Sequence, residues 1–288
     1  MRKTTIFILL LWVSLPAISQ NADFLSSARS YYENEQYKEA LETLSTLTQN
    51  GEQNFDILLL KGNCYQKTDD FEAASQAYAS AEKLDDKSAI LYANWSAALY
   101  NMAEISEGEE KAKTALKLDK NLPEANYFMG NLKHHEFSLL AALKYYNTAI
   151  KLKPDYRDAL YMRAATHAEL KNYRAAMRDY EAVLELDPDL MVAKYNIGVI
   201  QLVNEMYDAA SKTFAELNPE KLDKPIDYYY YQAEALYFDG KKEEACELYE
   251  KAKDLGDSES SEIYQKHCLG KAERDPAPGK KRTIRATF

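Results

Sequence analysis

Histidine and cysteine are the residues in which chemistry would first be sought, and this chain of 288 residues holds four histidines and three cysteines. His134 and His135 are adjacent, so on a helix their side chains would point about 100° apart and could not easily bind one metal ion. The sequence contains no glycine-rich phosphate loop, no GxSxG motif and no HExxH motif. We therefore predict no enzyme, no metal site and no cofactor.

The three cysteines, Cys64, Cys246 and Cys268, form neither a CxxC pair nor a zinc-ligand spacing. The plain interpretation is that they are three small buried side chains. A disulfide between Cys246 and Cys268 is the alternative that the sequence favours less.

The elements that must position any site recur along the chain at a fixed interval. The segments ALKLDK (115–120), AIKLKP (149–154) and AVLELDP (182–188) end predicted helices and are spaced by 34 residues. A small residue recurs in a first helix, at Ala28, Gly62, Ser96, Gly130, Ala164, Gly198 and Ala233. Another recurs in a second helix, at Ala40, Ala74, Gly108, Ala142, Ala176, Ala210 and Ala245. The residues four positions later are Leu44, Tyr78, Ala112, Tyr146, Tyr180, Phe214 and Tyr249.

This pattern has a physical reason, and it resembles a known type of repeat. Two helices that cross closely need small side chains at the crossing, and the larger side chains then interdigitate. The pattern resembles the tetratricopeptide repeat, a helix–turn–helix unit of about 34 residues. The resemblance implies an all-α fold, a right-handed α-solenoid of about seven repeats with a C-terminal capping helix, because one repeat cannot bury its apolar face alone. The predicted repeats are 21–54, 55–88, 89–122, 123–156, 157–190, 191–225 and 226–259, followed by a cap at 260–269. Ser258 or Ser260 could serve as the N-cap of the capping helix.

Both ends of the chain are predicted to lie outside the repeats. Residues 1–19 have the pattern of a secretory signal peptide, with basic Arg2 and Lys3, an apolar stretch and cleavage before Gln20. This pattern predicts a periplasmic or otherwise exported protein. An uncleaved anchor is the alternative. Residues 270–288 form a basic tail, which is either frayed or an arm that docks on an acidic surface or adds a strand to a partner.

The residues that would contact a partner follow from the resemblance, in which the first helix of each repeat lines a concave surface. Tyrosine occupies the fifth position of the fourth to seventh repeats and of the cap, and also the twelfth position of the seventh repeat. It suits recognition because it offers a rigid apolar face and a hydroxyl group. Packing between repeats is the alternative role for these side chains. The predicted partner-binding groove consists of Tyr127, Tyr161, Tyr195, Tyr230, Tyr264, Tyr237 and Asn131.

Four consecutive tyrosines, Tyr228 to Tyr231, occupy the third to sixth positions of the last repeat. Because consecutive helical residues diverge, they are not one patch. We expect Tyr230 to face inward and Tyr229 to lie in the packing interface. Tyr228 and Tyr231 are expected at the flanks, exposed or against neighbouring helices.

Charge narrows the choice of partner. The formal net charge of −10 argues against nucleic acid. Lysine is absent from the fifth position of every repeat, so the carboxylate clamp of related cochaperones is not expected. The inward acidic positions are Asp56, Glu124, Asp158, Asp227 and Glu234, against Arg29 and Lys67. We predict a non-catalytic interaction scaffold of the bacterial envelope whose partner carries basic and apolar side chains. A self-associating structural module and a binder of a non-protein ligand such as a glycan are the alternatives.

Overall fold

A computed structural model of the chain describes residues 14–49, 54–222 and 225–269. The chain divides into two compact units, Met1–Ser138 and Leu139–Phe288. Within the described ranges every regular element is helical, as the repeat pattern predicts, and none of these helices is long and apolar enough to span a bilayer. The predicted tail at 270–288 lies outside the described residues, and so do residues 1–13 of the predicted signal peptide.

The first unit is built from helix pairs that follow one another along the chain. Its helices are α1 (Ser14–Glu33), α2 (Tyr37–Gln49), α3 (Phe55–Lys67), α4 (Phe71–Glu82), α5 (Ala89–Asn101), α6 (Ile105–Leu118) and α7 (Pro123–His135). Helices α1 and α2, α3 and α4, and α5 and α6 pack as pairs. The second helix of each pair also packs on the first helix of the next. Stacking therefore buries the face that a single pair would leave open.

The second unit continues the same arrangement. Its helices are α8 (Leu139–Leu152), α9 (Arg157–Glu169), α10 (Tyr173–Leu186), α11 (Met191–Val203), α12 (Tyr207–Ala215), α13 (Pro225–Phe238), α14 (Lys242–Asp254) and α15 (Ser258–Ile263). A 3₁₀ turn, Pro219–Lys221, follows the short helix α12, and a π-helical turn, Tyr264–Cys268, follows α15. The pairs are α9 with α10, α11 with α12, and α13 with α14.

Local chemistry defines several of the helix starts. Asn54, Asp70 and Ser88 each accept a hydrogen bond from the backbone N–H three residues later. These side chains satisfy N–H groups that have no partner within the helix, which stabilises the first turn of α3, α4 and α5. Helix α7 instead begins with Pro123, whose fixed φ suits the first helical position.

One turn in each predicted repeat has a residue in the left-handed region of backbone space. These residues have φ between 56° and 61° at six non-glycine positions, Glu35, Asp69, Ala103, Phe137, Lys171 and Glu205. They recur every 34 residues, and Gly240, with φ of 84°, has the same place before α14. The next N–H reaches back to the end of the first helix, as in Asp70 to the Tyr65 carbonyl oxygen at 2.9 Å. This left-handed residue turns the chain into the second helix while the carbonyl groups at the helix end remain bonded.

The small and large residues of the pattern meet where the helices of a pair cross. Tyr78, Tyr180, Phe214 and Tyr249 are fully buried, as the pattern predicts. A Cβ atom on Gly62 would lie 2.9 Å from Cζ of Tyr78, and one on Gly198 would lie 2.9 Å from the Phe214 ring. Only glycine permits these two crossings to close without displacing a buried ring.

Candidate partner-binding site

Tyr161 is partly exposed in the second unit, and both its hydroxyl group and its ring contact other side chains. Its hydroxyl oxygen accepts a hydrogen bond from Nδ2 of Asn196 at 3.3 Å, which links α9 to α11. Its ring meets the buried ring of Tyr180 edge to face, with centroids 5.5 Å apart. Partial burial raises the pKa of Tyr161, against a smaller lowering by the Asn196 hydrogen bond, so the hydroxyl is neutral at physiological pH. The arrangement presents a fixed, neutral aromatic surface.

Tyr195 has the equivalent position in the next repeat but is almost covered. It is 8% exposed, and its ring contacts those of Phe214 and Tyr231 at centroid distances of 5.9 Å and 6.3 Å. Packing between helices, the alternative role, therefore describes this side chain better than contact with a ligand.

Tyr230 is expected from the sequence to face a ligand, but it is fully buried in the described fold. Its hydroxyl lies 3.1 Å from Oε1 of Glu234 and 3.1 Å from Oε1 of Glu259. Glu259 belongs to α15, which covers this end of α13. Burial, followed by the charges of the two carboxylates, raises the pKa of Tyr230 far above its ordinary value. The repeat pattern does not show this burial, because the exposure of the fifth position of a repeat depends on the helix that follows it.

The rest of the tyrosine run also serves the core. Tyr228 is buried and donates a hydrogen bond from its hydroxyl to the Phe214 carbonyl oxygen at 3.2 Å. Burial raises the pKa of Tyr228 to about 12. Tyr231 is also buried, so both flank residues lie against neighbouring helices and neither is exposed. Tyr229 is partly buried, with Nζ of Lys251 5.8 Å from its ring centroid.

The remaining predicted groove residues divide by exposure. Tyr237 is 8% exposed and Asn131 is 6% exposed, so both predicted groove residues are buried in the described fold. Tyr264 is partly exposed under Nζ of Lys253, which lies 4.6 Å from its ring centroid. Tyr127, in the first unit, is partly exposed and packs its ring 5.1 Å from that of Phe128. Tyr161 and Tyr264 are thus the predicted tyrosines that keep accessible surface in the second unit.

The acidic character of the predicted groove is weaker than the sequence suggests. Asp56 pairs with Arg29 at 3.0 Å, and Asp158 pairs with the neighbouring Arg157 at 2.9 Å. Glu234 is buried beside Tyr230 and is not available at the surface. Arg29 is itself an inward position that the sequence pattern did not pair with Asp56, whereas Arg157 lies outside the inward positions.

The histidine pair makes no metal site in the described part of the chain. No cluster of three or more histidine, cysteine or carboxylate side chains occurs there in a ligating arrangement. His135 is exposed, and its ring meets that of Tyr100 edge to face at 6.1 Å.

The end of the second unit differs from the sequence interpretation in two respects. Asp257 is the N-cap of α15, because its carboxylate accepts a hydrogen bond from the Ser260 N–H at 2.9 Å, so neither Ser258 nor Ser260 has that role. Cys246 and Cys268 form a disulfide with their Cα atoms 5.7 Å apart, so the interpretation of all three cysteines as plain buried residues is wrong for this pair. Cys64 is a free buried thiol, and burial raises its pKa to about 11.

Comparisons with known proteins agree with this architecture. Four tetratricopeptide repeat profiles match the sequence, at residues 25–89, 123–156, 157–190 and 227–255. This chain belongs to the tetratricopeptide repeat family. A comparison with curated proteins gives no match.

Solved structures of tetratricopeptide repeat proteins share the fold at low sequence identity. A structure of PilF from Pseudomonas aeruginosa has a TM-score of 0.65 at 15% identity, covering 73% of this chain and 96% of its own. YrrB, described as a tetratricopeptide repeat protein with an unusual peptide-binding site, has a TM-score of 0.58 at 22% identity, with coverage of 66% and 98%. A tetratricopeptide repeat protein from Parabacteroides merdae has a TM-score of 0.56 at 15% identity, with coverage of 86% and 98%.

Proposed function

We propose that this protein is a non-catalytic scaffold that binds a peptide or helix of a protein partner through the accessible face of Tyr161 in the second unit. The observation that carries the proposal is that Tyr161 is partly exposed while Asn196 holds its hydroxyl and Tyr180 supports its ring. A side chain already fixed in one conformation loses little entropy on binding. Tyrosine also combines apolar contact area with a polar group, which suits recognition of peptides.

Family membership supports the class of partner. Tetratricopeptide repeat proteins generally bind proteins or peptides, and YrrB is described as having a peptide-binding site. These similarities indicate a protein or peptide as the kind of ligand, and they do not indicate which residues bind it. The assignment to Tyr161 rests on its own contacts.

Charge supports a partner with basic and apolar side chains. The chain has a formal net charge of −10, and Asp227, at an inward position of the second unit, is partly exposed. A net negative charge attracts a basic segment over long range and raises its association rate. Tyr161 would supply the apolar contact.

An envelope location is part of the proposal and rests on the signal-like residues 1–19. Helix α1 runs across the proposed cleavage point, since it extends from Ser14 to Glu33. Mass spectrometry of the protein from the periplasm of a bacterial host should give a mature N-terminus at Gln20 or an immediate neighbour. A cytoplasmic protein that retains residues 1–19 would contradict this part of the proposal.

The binding surface is tested with peptides selected on the purified protein from a random peptide library. In Tyr161→Ala the affinity for the selected peptides should fall at least about tenfold, as for an aromatic anchor residue. Tyr145→Ala is the matched control, because Tyr145 is also a partly exposed tyrosine of the second unit but lies in α8. Its affinity should stay within about twofold of the parent. Equal affinities for a folded Tyr161→Ala variant and the parent would reject the surface.

A further inference from the structure

The terminal cap, residues 258–268, packs on α14 at the end of the second unit. It consists of α15 and the π-helical turn, and both contact α14. Ile263 is its one buried apolar side chain, while Tyr264 and Cys268 are partly buried. Glu259 meets the hydroxyl of Tyr230 at 3.1 Å, and the His267 ring lies 5.9 Å from that of Tyr237. With one buried apolar side chain, the cap is expected to open more readily than the core helices of the unit.

One covalent bond adds to these contacts. The Cys246–Cys268 disulfide joins α14 to the last residue of the cap across a sequence separation of 22 residues. The π-helical turn positions Cys268, with the Leu269 N–H bonded to the Tyr264 carbonyl oxygen at 3.2 Å. Both cysteines are partly exposed, so a dithiol in solution can reach the bridge.

Polar groups lie beneath the cap. Tyr230 and Tyr249 are fully buried there, with ring centroids 6.2 Å apart, and Glu234 is buried beside them. The Tyr249 hydroxyl has no hydrogen-bond partner among the described residues. A buried hydroxyl without a partner is unfavourable, and water would satisfy it once the cap moved away. Solvation of these groups therefore offsets part of the cost of opening.

We propose that the terminal cap is a thiol-controlled lid, closed when Cys246 and Cys268 are bridged and open when they are reduced. One thiolate of a dithiol reductant attacks a sulfur of the bridge, the S–S bond breaks, and a mixed disulfide forms. The second thiol of the reductant resolves it. Two electrons and two protons pass to Cys246 and Cys268, and the reductant leaves as a disulfide. The untethered cap then uncovers Tyr230, Glu234 and Tyr249.

The test measures amide hydrogen exchange of the full chain with and without dithiothreitol. Mass spectrometry confirms reduction by the gain of two hydrogens. Exchange over 258–268 should accelerate by at least about tenfold on reduction, because loss of the tether raises the open population of a weakly packed element. Exchange over α9 and α10 should stay as it was. Hydroxyl-radical labelling of Tyr249 should rise severalfold in the same sample.

Two variants distinguish a disulfide that holds only the cap closed from one that stabilises the whole second unit. The double substitution Cys246→Ser and Cys268→Ser should reproduce the reduced state without reductant, whereas Cys64→Ser, in the first unit, should leave exchange over 258–268 as in the parent. Unchanged exchange over 258–268 after reduction would overturn the proposal. Equal acceleration throughout the second unit would also overturn it, because the bridge would then stabilise the whole unit and not the lid.

Discussion

Gly62 of α3 lies directly against the ring of Tyr78 in α4. A Cβ atom on Gly62 would stand 2.9 Å from Cζ of that ring and closer still to Cε1, and both distances are shorter than real Cβ contacts. The Tyr78 hydroxyl is fixed in turn, 2.9 Å from Oδ1 of Asn63 and 2.9 Å from Oε1 of Gln66. The ring therefore cannot swing away, and the absence of a side chain at residue 62 sets the helix crossing.

Substitution of Gly62 by alanine should destabilise the first unit. Overpacking of a close-packed core costs about 1–3 kcal/mol, which exceeds the gain of up to about 1 kcal/mol from the better helix propensity of alanine. Gly108→Ala is the matched control, because the nearest atom to its Cβ would lie at an ordinary 3.4 Å. Urea denaturation should show a lower free energy of unfolding for Gly62→Ala and an unchanged or higher one for Gly108→Ala. The same loss in both variants would contradict this account.

Glycine at a left-handed turn position should stabilise the protein. Lys171 has φ of 59° and an exposed side chain, so replacement removes a steric cost without removing a buried contact. Lys171→Gly should raise the free energy of unfolding by about 0.5–1 kcal/mol, since a left-handed L-residue costs about 1–2 kcal/mol and glycine has a larger entropy in the unfolded chain. Lys171→Ala retains Cβ and should be nearly neutral. Thermal melts that rank alanine at or above glycine would refute the prediction.

The Glu109–Lys133 pair should stabilise the contact between α6 and α7 above acidic pH. Nζ of Lys133 lies 2.6 Å from Oε1 of Glu109, and both side chains are largely buried. Hydrogen bonds from Lys133 and Lys113 lower the pKa of Glu109, so its contribution is present above about pH 4.3 and is lost as pH falls through the lowered value. Glu109→Gln should cost about 1–2 kcal/mol at pH 7 and much less near pH 3.

Lys113 provides a control for this pair, because it is an exposed i,i+4 partner of the same carboxylate at 2.9 Å. Lys113→Gln should cost only about 0.3 kcal/mol. Urea denaturation of both variants across this pH range measures the difference. A Glu109→Gln penalty that does not change with pH would point to packing and not to charge.

His167 should make the second unit sensitive to mild acid. Burial lowers its pKa below the ordinary 6.5, with Asp179 opposing the shift and Arg163 and Arg178 adding to it. The unfolded chain then binds a proton more readily than the folded one, so the free energy of unfolding falls as pH drops below about 6.5. His167→Gln should flatten the pH dependence of the melting temperature between pH 7 and pH 5. Parallel curves for the two proteins would show that His167 does not contribute.

Local, repeated features could be read from the sequence, whereas contacts set by one particular neighbour could not. Glycine or alanine facing a large residue recurs every 34 residues, so the crossing of Gly62 with Tyr78 follows from the pattern alone. Tyr161 and Tyr230 share one position of the repeat, yet only Tyr161 keeps accessible surface. The difference arises because α15 brings Glu259 onto Tyr230, which the pattern does not encode.

The same distinction applies to the end of the chain. Aspartate and serine are comparable N-cap residues, so the choice of Asp257 over its neighbours depends on where the chain enters α15. The disulfide depends on the π-helical turn that positions Cys268, and an uninterrupted α-helix would direct that side chain elsewhere. Neither feature has a periodic signature.

The burial of Cys64 gives the protein an intrinsic selectivity toward thiol reagents. The sequence has three cysteines, and the one outside the bridge has a pKa of about 11 in a closed core. Because the thiolate is the reactive form, alkylation of the folded protein at neutral pH should be slow at Cys64. A maleimide dye would therefore mark only Cys246 and Cys268, and only after their bridge had opened, so dye incorporation would report the redox state of the bridge without an engineered label.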